Sequence, residues 1–157
     1  MQWYNMEIQI QTLKPFNLEE LDELISVFEN VFEMEHFTRP VKSYFHNLLE
    51  KENFIAVIAK VNDKVVAGLT VYVLDQYYAT KPMAYIYDLA VLTDFQRKGI
   101  GRKLIDFTIQ YCTQHGFQEV FVQADKIDDY AIEFYRSTKP TREEQVVHFS
   151  YILNVNK

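Results

Sequence analysis

The fold of this 157-residue chain is decided by residues 84–101, which read AYIYDLAVLTDFQRKGIG. Residues 84–92 are almost wholly apolar apart from Asp88, a pattern typical of a strand that is covered on both faces. Gly99 and Gly101 follow after a short connector and precede apolar residues at helical spacing. The sequence therefore predicts a strand, a glycine turn and a helix in succession.

The glycine turn carries the chemistry of an anion site. Glycines at the start of a helix let backbone N–H groups approach a diphosphate, and the helix dipole favours its negative charge. A Rossmann fingerprint needs a third glycine and a Walker loop needs Gly-Lys-Ser or Gly-Lys-Thr, and the turn has neither. It predicts another kind of diphosphate site, and a plain glycine-rich turn with solvated basic residues is the alternative. The basic residues are Arg97, Lys98, Arg102 and Lys103.

The flanking sequence alternates between strand and helix patterns, with no repeat or linker. Asn62-Asp63-Lys64 predicts the turn of a hairpin, and Asn17 is a candidate cap for the first helix. The patterns predict one α/β domain over residues 1–157 that builds an antiparallel sheet. The predicted strands span residues 7–13, 54–59, 65–74, 84–92, 119–124 and 145–153, and the predicted helices span 18–32, 41–50, the run from the glycine turn to His115, and a short helix capped by Asp128 or Asp129.

Composition limits the classes of partner. Hydrophobic residues make up 48% of the chain, which suits a packed core, and the net charge of −6 argues against nucleic-acid binding and is compatible with a cationic small molecule. We expect a soluble, cytoplasmic protein, because Met1–Glu7 does not resemble a signal peptide and no segment reaches the ~18 apolar residues of a membrane span.

Cysteine and histidine usage predicts neither a metal nor a covalent acetyl-cysteine. Cys112 is the single cysteine and lies among apolar residues of a predicted helix, and the histidines at 36, 46, 115 and 148 lack metal-ligand spacing. The 12 Phe and 11 Tyr residues suit a core or the interface of a homodimer, and the two readings stay open.

Residues 96–101 fit a known motif: Gln or Arg, two residues, Gly, one residue, then Gly or Ala. In this motif and in the order of elements around it, the chain resembles the GNAT superfamily of acetyltransferases. Residues 85–91, 123–125 with Asp128 and Asp129, 142–144 and 148–149 make it similar to the class I aminoglycoside 3-N-acetyltransferases, over about residues 44–152. The resemblance implies a single α/β domain with a central mixed, mostly antiparallel twisted sheet flanked by helices.

The resemblance also implies roles in binding acetyl-CoA. Tyr135 stands where the family has a tyrosine that protonates the departing thiolate, and Asp128 stands where many members have an asparagine that contacts pantetheine. The pantetheine arm is implied to pair with the backbone of Leu89, Ala90 and Val91, with an N–H near Val91 polarising the thioester carbonyl. The pyrophosphate is implied to lie on the turn formed by Gln96, Arg97, Lys98, Gly99, Ile100, Gly101 and Arg102.

Several carboxylates are candidates for handling the acceptor amine. Acetylation needs a neutral nitrogen, so the site needs a base and a negative surface. Asp88 is the candidate base or amine ligand, and the alternative is a buried structural aspartate. Capping of a helix by Asp128 or Asp129, and solvation of the glutamates, are the alternatives for the rest. The further candidates for binding substrate are Asp125, Asp129, Glu143 and Glu144.

The chain departs from its relatives directly after Tyr135. Relatives usually have a leucine, a glycine and a hydrophobic residue there, whereas residues 136–141 read RSTKPT. We expect an acetyl-CoA-dependent N-acetyltransferase acting on a cationic amine, with an aminoglycoside as the favoured acceptor. A polyamine or other small-amine N-acetyltransferase and a non-catalytic acyl-CoA-binding module are the alternatives.

Overall fold

A computed structural model gives the structure of residues 6–154, so the expectation about the N-terminal signal falls largely on Met1–Asn5, outside the described residues. A short 3-10 turn at Thr93–Phe95 joins the fourth strand to the third helix. The elements in chain order are β1 (Ile8–Thr12), α1 (Leu18–Val31), α2 (Lys42–Glu50), β2 (Phe54–Val61), β3 (Lys64–Leu74), β4 (Met83–Val91), α3 (Ile100–Gln114), β5 (Glu119–Val122) and α4 (Asp129–Ser137).

The chain forms two compact units that meet in sequence at Gln123 and Ala124. The first holds all five strands in the order β1-β2-β3-β4-β5, and the second holds α4. The pairs β1–β2, β2–β3 and β3–β4 are antiparallel, and β4–β5 is parallel. The predicted mixed, mostly antiparallel sheet is therefore confirmed.

The hairpin of β2 and β3 turns at Asn62 and Asp63, as the sequence predicts. Both residues have positive φ, 51° and 62°, and a two-residue type I′ turn requires positive φ at both positions. Asn and Asp tolerate this left-handed region better than other side chains.

Helices cover both faces of the sheet. Leu21 and Leu24 of α1 pack with Ala56 and Ile58 in one buried cluster. Because side chains alternate along a strand, the buried residues Val57 and Ala59 of β2 face the opposite side. On that opposite side α3 contacts β2, β3 and β4 with buried residues that include Ile100, Leu104, Ile105, Thr108 and Cys112.

Close approach of α1 to β3 explains the glycine at position 68. A Cβ on Gly68 would collide with the Leu24 side chain and would lie 2.6 Å from the carbonyl oxygen of Val57. The backbone oxygen has no room to give way. Only glycine therefore fits between α1 and the sheet at this point.

Two predicted helix ends have different outcomes. Gly116 follows α3 with φ of 75°, and the N–H of Phe117 donates to the carbonyl of Cys112 at 3.0 Å, which confirms the glycine stop. Asn17 stands at the N-terminal cap position of α1, but its side chain caps nothing there. Its Oδ1 instead accepts from the N–H of Lys14 at 2.9 Å.

The prediction of a closing strand at residues 145–153 is wrong. The alternation of side chains is present, but these residues pair with no strand among residues 6–154. A strand needs a neighbour for its backbone groups, which a side-chain pattern does not supply. The apolar side chains of the segment are left exposed: Val146, Val147, Phe149, Tyr151, Ile152 and Leu153.

No helix within residues 6–154 combines the length and the apolar character that crossing a membrane requires.

Candidate active site

The glycine turn is held in place by its own side chains. The Gln96 amide Nε2 donates to the carbonyl of Val91 at 2.9 Å, and the Lys98 ammonium donates to the carbonyl of Asp94 at 2.9 Å. Arg97 and Gly99 have positive φ, 59° and 80°. Gln96 therefore ties the turn to the end of β4 through its side chain.

Helix α3 begins directly after the glycine turn, as the sequence predicts. Gly99 is the N-terminal cap residue, and its carbonyl accepts from the N–H of Lys103 at 3.0 Å. The N–H groups of a helix's first turn have no acceptor within the helix, and together with the helix dipole they attract an anion. Ile100 is buried and anchors the turn in the core, while Arg97, Arg102 and Lys103 are exposed.

The sheet opens between β4 and β5 next to this turn. Strand β5 pairs with β4 only from Met83 to Ile86, the last pair being Ile86 with Val122. Strand β4 continues to Val91, and among the described residues nothing pairs as a strand with 87–91 on the β5 side. The backbone of Leu89, Ala90 and Val91 thus forms an open strand edge that ends at the turn, where an extended arm could add as another strand.

Asp88 lies where β4 parts from β5, at an irregularity on its other side. Val71 pairs with Ile86 and Leu69 with Leu89, so Thr70 alone faces both Tyr87 and Asp88. Two residues against one form a β-bulge, a feature common beside active sites because it re-aims side chains. The N–H of Asp88 donates to the hydroxyl oxygen of Thr70 at 3.3 Å.

The Asp88 carboxylate is half-buried and carries no ion pair with any residue from 6 to 154. Burial raises the pKa of Asp88 above its ordinary range, because the charged form loses solvation. A carboxyl group with a raised pKa suits a base or an amine ligand. The sequence left two roles open for Asp88, a base or amine ligand and a buried structural aspartate. The raised pKa and the missing ion pair among the described residues favour the first role.

Aromatic side chains around Asp88 were not among the predicted site residues. Tyr85 and Tyr87 precede it on β4, and Tyr72 lies across from Tyr85 on β3. The spacing of two tyrosines at alternate positions beside Asp88 was the available signal. The pairing with Tyr72 could not be read from the sequence, because it depends on the register of β3.

In the second unit, Asp128 caps α4, as one of the two predicted candidates. Its Oδ1 accepts from the N–H of Ala131 at 3.0 Å, and its own N–H donates to the carbonyl of Asp125 at 2.9 Å. Asp129 is the first residue of α4 and is exposed, as Asp125 is. The three aspartates therefore lie around one helix start.

Tyr135 lies near the other end of α4, which stops without a glycine. The ring of Tyr135 is half-buried, with its centroid 5.0 Å from that of Phe134. Helix α4 ends at Ser137, and Lys139 takes the left-handed φ of 59° just before Pro140. Lys139 thus adopts the conformation that a glycine would favour there.

The two glutamates predicted to bind substrate are both paired with arginines. Glu143 accepts two hydrogen bonds from the Arg136 guanidinium, at 2.6 and 3.0 Å, and Glu144 lies 3.1 Å from Arg142. The hydrogen bond from Arg136 lowers the pKa of Glu143. These carboxylates are therefore partly neutralised before any cation arrives.

The remaining candidates are the Cys112 thiol, as a nucleophile, and groups of side chains that could bind a metal. Cys112 is buried in α3, and burial raises its pKa to about 11, so the thiol is a poor nucleophile near neutral pH. Its predicted place in the core is confirmed. Three or more His, Cys, Asp or Glu residues do not come together as a metal site anywhere in the part of the chain that the structure describes.

A glycine turn at a helix start, joined to an open strand edge beside a half-buried carboxylate, is an arrangement suited to a transferase that holds a long donor with a diphosphate group. A family model described as "Acetyltransferase (GNAT) family" matches residues 18–138. The chain belongs to this family and is an N-acetyltransferase, for which acetyl-CoA is the donor.

Similar proteins agree with this assignment. A crystal structure of an aminoglycoside acetyltransferase from an uncultured soil metagenomic sample, in complex with trehalose, is 56% identical, covers 93% of this chain and 96% of that chain, and has a TM-score of 0.91. The structure of that enzyme with sisomicin is 55% identical, with the same coverage and TM-score. A second soil metagenomic aminoglycoside acetyltransferase is 33% identical over 94% of this chain and 99% of that chain, with a TM-score of 0.87.

An uncharacterized N-acetyltransferase from Archaeoglobus fulgidus is 25% identical over 80% of this chain and 90% of its own length.

Proposed function

We propose that the chain transfers the acetyl group of acetyl-CoA to a primary amine of an aminoglycoside. The observation that carries this proposal is the half-buried Asp88 carboxylate, without a described ion-pair partner, at the point where β4 separates from β5. A carboxylate in that position stands next to the strand edge on which the donor's arm would lie, and it has no cation of its own to compete with an amine.

The donor is proposed to bind along β4 and across the glycine turn. Its extended pantetheine arm pairs with the open edge at Leu89, Ala90 and Val91, and its pyrophosphate accepts from N–H groups at Gly99, Ile100 and Gly101. Gln96 acts by joining these two parts, since its amide fixes the turn to Val91. Positive charge for the pyrophosphate comes from Arg97, Lys98 and Arg102.

In the proposed reaction the amine attacks the thioester directly. Asp88 accepts a proton from the acceptor's ammonium group, and the freed nitrogen forms a bond to the carbonyl carbon. The carbon–sulfur bond then breaks, and the nitrogen releases its second proton to water, from which Tyr135 regains the proton that it gives to the thiolate. An N–H near Val91 stabilises the developing oxyanion. The departing thiolate takes a proton from Tyr135, as the likeness to the family implies.

The acceptor class is supported by charge and by the relatives. The chain has a formal net charge of −6, which favours a polycation, and the proteins that are 56% and 33% identical are aminoglycoside acetyltransferases. The 3-N position of the acceptor is proposed from the likeness to the class I enzymes. Asp125, Asp129, Glu143 and Glu144 are proposed to bind the acceptor's other ammonium groups. Asp128 is proposed to contact pantetheine through its second carboxylate oxygen, since Oδ1 caps α4.

Free-thiol release from acetyl-CoA tests the function directly. Purified protein is assayed with sisomicin, gentamicin, kanamycin, spermidine and no acceptor, and product is mapped by NMR to locate the acetylated nitrogen. We expect turnover with aminoglycosides and attachment at N3. Asp88→Asn and Tyr135→Phe should lower kcat, while Asp106→Asn, an exposed aspartate on α3, should leave it unchanged. Acetyl-CoA binding without turnover on any amine would favour a non-catalytic module, and turnover confined to spermidine would favour a polyamine enzyme.

The unit of function is proposed to be one domain that includes both compact units, because the family match at residues 18–138 spans their boundary.

We also propose a homodimer, in which a second copy covers the exposed apolar segment 145–153. Light scattering after gel filtration should give twice the monomer mass, and Phe149→Ser with Tyr151→Ser should reduce it to the monomer. A monomeric wild-type protein at micromolar concentration would contradict the dimer.

A further inference from the structure

An aromatic row crosses one face of the sheet, from β2 to β5, beside Asp88. The row is defined as Phe54, Tyr72, Tyr87, Tyr85 and Phe121. The ring centroids of successive members are 5.6, 5.6, 5.7 and 4.6 Å apart. Phe54 belongs to the cluster under α1 and α2, so the row lies on the face that these helices cover.

The middle of the aromatic row is open, whereas its β2 end is closed. Phe54 is only 7% exposed, but Tyr72 is 37% and Tyr87 is 59% exposed. The Tyr87 ring stands at 90° to Tyr72 and at 79° to Tyr85. Neighbouring rings that are nearly perpendicular form a corner with two apolar walls. Such a corner suits a compact ring-shaped ligand better than a flat or linear one.

The negative charge of Asp88 acts on this corner. The pKa of Tyr72 is raised first by burial and then by the charge of Asp88. The pKa of Tyr85 is raised first by burial, then by Tyr87 and by Asp88. Tyr44 of α2 is exposed and also contributes to the raised pKa of Tyr72. Helix α2 therefore forms a rim of the same surface. The corner therefore combines aromatic walls with one carboxylate that lacks an ion-pair partner among residues 6–154.

We propose that Tyr72 and Tyr87 bind a sugar ring of the acceptor by its C–H face, and that Asp88 binds an ammonium group carried by that ring. This inference rests on the proposed function and names the residues that select a ring-bearing amine. The apolar C–H face of an amino sugar gains dispersion contacts with aromatic rings, and its ammonium group is attracted to the carboxylate and the ring faces. A linear polyamine satisfies the charge but offers no ring to fill the corner.

The test compares ligands with and without a sugar ring. Isothermal titration calorimetry measures the Kd of sisomicin and of spermidine for the wild-type protein and for Tyr87→Leu, Tyr87→Phe and Tyr78→Leu. Tyr78 is the matched control, because it is 66% exposed and its ring contacts Tyr77 outside the row. Acetyl-CoA binding and the melting temperature report whether each variant is intact.

We expect Tyr87→Leu to weaken sisomicin by about tenfold, the size of one ring contact with a cationic ligand, and spermidine by less than about twofold. Tyr87→Phe keeps the ring and should bind like wild type, as should Tyr78→Leu. An unchanged sisomicin Kd in Tyr87→Leu, or an equal loss for both ligands, would overturn the inference while leaving the proposed function intact. Wild-type protein that binds and acetylates no aminoglycoside would overturn both.

Discussion

The backbone N–H of Asp88 donates to the hydroxyl oxygen of Thr70 at 3.3 Å, across the bulge where two residues of β4 face one residue of β3. Thr70 is a buried polar residue, 8% exposed. A bulge leaves one backbone group without its regular ladder partner, and the threonine hydroxyl supplies one. The bond therefore fixes the backbone from which the Asp88 carboxylate projects.

Replacing Thr70 by valine should damage both the bulge and the reaction. The change keeps the shape but leaves the Asp88 N–H without an acceptor, which should lower the free energy of unfolding by about 1 kcal/mol. We expect kcat/KM to fall by at least about threefold, because the carboxylate is less well oriented, with an unchanged Kd for acetyl-CoA. Urea unfolding and steady-state kinetics measure the two effects.

Thr108→Val is the matched control for Thr70→Val. Thr108 is also buried, and its hydroxyl donates to the carbonyl of Leu104 within α3 at 2.8 Å. It should lose stability without losing activity. Parallel losses of activity in the two variants would show that Thr70 contributes only to folding.

Asp88→Asn should stabilise the ligand-free protein, increasingly so as the pH rises. Because burial raises the pKa of Asp88 in the folded state, the folded state holds its proton more tightly than the unfolded state does. The favourable contribution of the neutral carboxyl is complete below the unfolded pKa of about 3.9. It is lost as the pH rises through the folded pKa. Asparagine has no such loss.

Thermal unfolding from acid to neutral pH measures this difference. The melting temperatures of wild type and Asp88→Asn should be close in acid and should separate toward neutral pH, with the variant higher. Asp106→Asn, at an exposed position on α3, is the control for the loss of one carboxylate charge. A gap that narrows toward neutral pH would mean that Asp88 has a favourable charged partner in solution.

The sequence could predict those parts of the site that are local in the chain. Strand β4, the turn at Gly99 and helix α3 follow one another directly between Met83 and Gln114, so apolar spacing and glycine positions were enough. The bulge at Asp88 depends on the register of β3, some 18 residues away, which no local pattern reports. The alternation at residues 145–153 was real, but pairing needs a neighbouring strand that the pattern could not provide.

Asp63→Gly should stabilise the β2–β3 hairpin. Asp63 takes a φ of 62° as the second residue of the type I′ turn, a position that favours glycine after asparagine. Relief of the left-handed backbone is worth less than the ~1–2 kcal/mol of an ordinary side chain, because aspartate tolerates this region, and ~0.5–1 kcal/mol is lost to the greater freedom of glycine in the unfolded chain. We expect a net gain of up to about 1 kcal/mol in urea unfolding, with unchanged kinetics.

Asn62→Gly is the comparison at the other turn position, and it should gain less, because the first position of a type I′ turn favours asparagine as well as glycine, whereas the second position favours glycine. An equal or larger gain for Asn62→Gly would show that strain at Asp63 is not the limiting feature of the turn.

Arg136→Gln should increase affinity for a cationic acceptor. Arg136 holds Glu143 through two hydrogen bonds, so the substitution frees a carboxylate that is proposed to bind an ammonium group. The KM for sisomicin should fall, and it should rise in Glu143→Gln, with both effects weaker at high salt because these side chains are exposed.

The double variant Arg136→Gln with Glu143→Gln separates the pair from its members. If Arg136 acts only by neutralising Glu143, the double variant should have the KM of Glu143→Gln alone. A lower KM in the double variant would mean that Arg136 repels the acceptor independently of Glu143. A KM that is the same in all four proteins would remove Glu143 from the acceptor site and leave Asp88 as the carboxylate that selects the amine.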